Sequence, residues 1–334
     1  MRRSSASWAA TRTSTCATAA RPRVWQTKPT TKVCSSPNAV FLAFGCLFAG
    51  RLAEGIDSCE TACQRLPADP ALGAEFTGYS PFLGLLHGQA WILAQLGRLS
   101  DATAVCERTE HLARAYGESE VLTWLQLPRI EVDERRADAV AACDHARRAL
   151  EMAEKSATPQ ARMVGLIVLG IAHRLNSQWD ESVTVLEEAL RAATSGVNRL
   201  IEGWVRAELA KALLGRGDLD RAEHEAQTGV TVAHAQHSRC DELRAHLALA
   251  HTQLRRADAA ALARAEQALV RAQELIDETS AQAYQPEVHE CRAHLARLRG
   301  DALAAPRELA EARRLYAEMG ATAQAERLAK DTGC

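Results

Sequence analysis

The residues with the most obvious chemical potential are histidines and cysteines at short intervals. His234, His237 and Cys240 step by three, the spacing at which one helix face could offer two imidazoles and a thiolate to a metal. Gln236 to Ser238 reads as a helix end, which breaks that face. His289, Cys291 and His294 diverge around a helix, and Cys106 has no basic neighbour at helical spacing, so it reads as a buried structural thiol. Gly215-Arg216-Gly217 is a lone GxG with no strand before it, and so a turn. The chain contains no GxxxxGK[ST], HExxH, GxSxG or EF-hand pattern. Its carboxylates are spread at intervals that helical i,i+4 charge pairs explain. No catalytic residue, metal ligand or cofactor site is assigned, and neither ATP binding nor cyclic-nucleotide synthesis is expected.

The chain has 334 residues, 47% hydrophobic but only 4% aromatic, with Ala, Leu, Arg and Glu prominent. Those residues lose little entropy in a helix. The net charge of −2 conceals an asymmetry. Met1 to Ala53 holds eight Lys or Arg and no acid, leaving 32 basic against 42 acidic residues in the rest. An acidic body argues against nucleic acid as a partner. The ten cysteines include no CxxC and read as reduced thiols, which implies a cytoplasmic location.

Residues 1–37 are rich in Ser, Thr, Arg and Pro without apolar periodicity. They read as a disordered or mis-assigned tail, with a transit peptide as the alternative. The apolar run Val40 to Ala49 is about half a membrane span, so no membrane segment is expected. Residues 38–80 read as a degraded first helix pair and linker, and residues 81–331 as the main body.

That body repeats. Ala102, Ala142, Ser182 and Ala222 recur at forty-residue intervals, followed seven residues later by Thr109, Ala149, Ala189 and Gly229. Ala90, Ile130, Gly170 and Ala210 stand twelve residues before the first set. After a three-residue insertion the pattern resumes with Ala250, Ala265 and Ala272, then Ala293, Ala305 and Ala312. Small residues two turns apart on one face are what closely packed antiparallel helices need. Turns fall between them at Gly97–Ser100, Asn176–Trp179, Gly215–Asp218 and Arg299–Asp301, with Gly suited to ending a helix and Ser or Asp to starting one. Pro128 should break or kink the first helix of the second unit. Ala222 is expected at a close helix contact and Glu208 on an exposed face.

Small, twelve on small, seven on small is the order of the tetratricopeptide repeat, which this chain resembles. Leu169-Gly170, Ser182 and Ala189 stand at its Leu-Gly and later small positions, while His173, Leu213 and Gln253 replace its usual tyrosine. With the ending Glu311 to Lys330, the forty-residue units are similar to the C-terminal repeats of bacterial multidomain proteins with a class III adenylate/guanylate cyclase and a P-loop ATPase. The resemblance implies an all-α, right-handed α-solenoid of antiparallel helix pairs whose first helices line a concave groove. His87, Trp91, Arg174, Trp204, Lys211, Arg244 and His251 would then face that groove. Trp and Arg are enriched at binding hot spots, although a tryptophan here could equally pack between units.

The function expected is a non-catalytic, regulatory interaction module. Its partner is a protein or peptide segment or a catalytic domain of the same pathway, with no nucleic acid and no membrane. The alternative is a C-terminal fragment of a cyclase or ATPase signalling protein; an enzyme on this scaffold lacks a catalytic constellation.

Overall fold

A computed structural model describes residues 31–65 and 72–331 of the chain. Among them every regular element is a helix, and the protein is a right-handed α-solenoid of antiparallel pairs. α1 (Thr31–Ala49) and α2 (Leu52–Arg65) form a leading pair, followed by the single-turn α3 (Ala74–Thr77). Six pairs follow. They are α4 (Pro81–Gln95) with α5 (Leu99–Tyr116); α6 (Ser119–Trp124) and α7 (Gln126–Arg136) with α8 (Ala139–Ser156); and α9 (Pro159–Leu175) with α10 (Trp179–Thr194). Then come α11 (Glu202–Arg216) with α12 (Leu219–Ala235), α13 (Arg239–Arg256) with α14 (Ala259–Thr279), and α15 (Gln285–Arg299) with α16 (Ala304–Glu318). α17 (Thr322–Asp331) closes the array. No helix among the described residues is long and apolar enough to cross a membrane.

Of the stretch read as an irregular tail, residues 1–30 lie outside the described residues. Residues 31–37 belong to α1, which corrects that boundary.

The small-residue pattern is the packing code. Ala102, Ala142, Ser182, Ala222 and Ala265 are fully buried, as are Ala149, Ala189 and Ala272 seven residues after their counterparts. Gly170 shows why bulk is excluded: a Cβ there would lie 2.5 Å from Leu186 Cγ. Ser182 crosses the same contact and donates from Oγ to the Gly170 carbonyl at 2.7 Å. Left-handed residues end the first helices at Gly97, Ser177, Gly217 and Gly300. Gly217, rather than Gly215, makes the turn after α11; Gly215 remains helical, and its lack of a Cβ leaves room for the Trp179 ring. Asp138, Asp218 and Asp258 cap the helices that follow them. Pro128, lacking an N–H, falls in the first turn of α7, just after the interruption at Leu125 that separates α6 from α7.

An open solenoid touches only its neighbours along the array. This one closes on itself. α1 packs on α13, α4 on the turn Gln282–Tyr284, and α17 on α7. Gly97, at the end of α4, sits so close to Met319 that a Cβ would meet its sulfur at 2.8 Å. The interior formed by the first helices is therefore walled all round.

Candidate functional site

The forty-residue period decides which side chains meet inside. Positions one period apart lie side by side on successive first helices, so Trp91 Nε1 donates to Glu131 Oε1 at 2.6 Å. In the same way Arg174 pairs with Glu134 at 2.5 Å.

One end of the interior is aromatic. His87 and Trp91 of α4 lie 5.7 Å apart, and Trp91 lies 5.8 Å from Trp204 of α11. Arg244 of α13 stacks between Trp204, at 4.8 Å, and Tyr284, at 5.2 Å, and its Nη2 reaches Glu131 at 2.6 Å. Burial would pull the Arg244 guanidinium down, but Glu131, Tyr284 and Asp241 hold its pKa well above the ordinary value. Asp241 beneath it is pushed up to about 6 by burial, opposed by Arg244 and Ser238.

The other end is ionic. Glu208, fully buried on α11, accepts from Arg174 at 3.0 Å and from Lys211 at 2.9 Å. Glu134 takes the second bond of both cations, and Arg135 lies 3.6 Å from its other oxygen. Burial would raise the Glu134 carboxyl, but Lys211, Arg174 and Arg135 hold it well below the usual range. Arg135 continues to Glu287 of α15 at 2.9 Å, and Glu287 accepts from His251 Nε2 at 3.0 Å. Apart from Glu208, these groups line a cavity of about 450 Å³, whose wall also includes Trp179, Glu290 and Tyr316.

Cys291, His251 and Glu287 are the grouping closest to a nucleophile with a base. Cys291 Sγ is 3.5 Å from His251 Nε2 and 3.7 Å from Nδ1. Glu287 already holds Nε2.

All seven groove residues named from the sequence point inward, but they divide. Arg174, Lys211 and His251 line the cavity. His87, Trp91, Trp204 and Arg244 are buried at 5% exposure or less. For these four the expected open contact surface is corrected, because closure of the solenoid brings α4, α11 and α13 together over them. Glu208 is corrected too: instead of facing solvent it is the buried partner of two cations. The acidic partners Glu131, Glu134 and Glu287 were missed. The signal was present for two of them, since Glu131 and Glu134 stand one period from Trp91 and Arg174.

No family model matches the chain, and no curated protein matches it significantly. Solved structures do. A Rap protein crystallised in complex with Competence and Sporulation Factor superposes with a TM-score of 0.54 at 11% identity, covering 89% of this chain and 96% of that one. The similarity is one of fold. A Signal Transduction ATPase with Numerous Domains protein from Pyrococcus horikoshii, carrying a tetratricopeptide repeat sensor, gives 0.41 at 16% identity. That match covers 82% of this chain and 40% of that one.

Proposed function

We propose that the chain is a non-catalytic regulatory module that receives a polypeptide segment in the cavity lined by Arg174, Lys211 and His251. The observation that carries this reading is the chamber itself. About 450 Å³ of space is bordered by side chains of both signs of charge. Paired charges held by neighbouring helices offer a polypeptide ready-made donors and acceptors with little left to reorganise. The Rap protein of similar fold was crystallised with a bound factor, which is consistent with this use of the scaffold. Its partner here is a protein or peptide, acting in a cytoplasmic signalling setting.

A displayed peptide library panned against the whole chain tests the reading. A recovered segment is titrated by calorimetry against the wild type and Lys211→Met, both first shown to be folded by circular dichroism. The variant should bind about 1–3 kcal/mol more weakly. Equal affinities would place the contact elsewhere on the molecule.

A further inference from the structure

We infer that the rim between this cavity and a smaller neighbouring one is an anion site for a carboxylate of the bound polypeptide, held by Arg255, His294 and Arg297. This rests on the function just proposed and adds the chemistry of what is recognised.

The placement is specific. Arg255 is on the wall of the larger cavity, while His294 and Arg297 border a second cavity of about 270 Å³. The two cavities share His251, Glu290 and Arg327 in their walls and so lie side by side. Arg255, His294 and Arg297 are exposed, and none of them forms an ion pair among the described residues. The nearby carboxylates are already engaged: Glu290 accepts from Tyr316 at 2.8 Å and Arg327 at 2.6 Å, and Glu287 from Arg135 and His251.

His294 senses the two arginines. Burial lowers the pKa of His294 first, and the charges of His251, Arg297 and Arg255 lower it further. A carboxylate placed among them would reverse that effect and draw a proton onto His294. Each arginine sits in the last turn of its helix, where the dipole favours a cation. The dipole does not account for their placement on two adjoining cavities of an otherwise acidic body. Leu309 and Leu328 supply an apolar side to the smaller cavity, suited to the methylenes of an acidic side chain.

The test uses the full chain and three dye-labelled hexapeptides read by fluorescence anisotropy. One alternates Glu and Ala with an amidated end, the second replaces Glu by Gln, and the third is the Gln peptide with a free C-terminal carboxylate. At least one carboxylate-bearing peptide should bind tenfold or more tightly than the neutral one. Which of the two gains affinity tells side-chain from terminal recognition. Arg255→Gln and Arg297→Gln should abolish that advantage, whereas Arg313→Gln, an exposed arginine on α16 outside both cavities, should leave it intact. If all three peptides bind equally, the anion site is overturned while the peptide-binding function stands. If none binds even at millimolar concentration, both fall.

Discussion

His87 is a titratable ring in an aromatic cage, with Phe44 at 5.5 Å, Trp91 at 5.7 Å and Trp124 at 6.1 Å. Burial pushes its pKa down to about 4 from 6.5, opposed by the Trp124 backbone. A histidine depressed in the fold contributes stability above its unfolded pKa, and loses it as pH falls from about 6.5 towards 4. The shift corresponds to about 3 kcal/mol. His246, also lowered to about 4, acts with the same sign. Asp241 acts oppositely, because a carboxyl raised to about 6 is a penalty that disappears as pH falls. The expected result is that His87→Phe flattens the fall in stability between pH 6.5 and 4 by about that amount relative to wild type. Parallel urea midpoints for the two proteins across this range would show that the ring is solvated.

Between helices, the decisive contacts are small against small and charge against charge. Ala222 on α12 is fully buried, so Ala222→Glu should cost several kcal/mol, on the order of 3, by placing a carboxylate in a helix contact. Glu208→Ala should now cost a comparable amount, about 3 kcal/mol, because it strips a buried partner from Arg174 and Lys211. Adding Lys211→Met should recover part of that loss, since the uncompensated cation is then gone. Thermal melts of the two single variants and the pair check this. A Glu208→Ala melt matching wild type would mean that the ionic chamber is hydrated and loosely paired.

At the scale of the whole molecule, closure turns a chain of neighbours into a ring. Arg244 reaches Glu131 across 113 residues, and Arg135 reaches Glu287 across 152. Trp204 lies at the centre, between Trp91 and Arg244, and is 1% exposed. Truncating a buried tryptophan costs about 3–5 kcal/mol through lost burial and the void left behind. Trp204→Ala should therefore lower the melting temperature strongly, with far-UV dichroism and tryptophan fluorescence still changing together. A loss below about 1 kcal/mol would show an open groove with Trp204 facing water.

The helix pairs and their period were legible because close helix packing demands small side chains at fixed positions, and Ala102, Ala142, Ser182 and Ala222 record that demand locally. The inward direction of Trp91, Arg174, Trp204 and Arg244 was what the tetratricopeptide resemblance implied once it was applied to that register. Whether those residues meet solvent or one another depends on how small rotations accumulate over six pairs, and no local pattern encodes that sum. Only the tertiary structure showed that the first helices approach across the ring, burying Trp204 and Arg244 and leaving Lys211 and His251 on a cavity wall. Glu208 makes the distinction plain. Its spacing suits a solvated helix face, and it is Arg174, brought in from α9 to join Lys211, that makes burial of its charge tolerable.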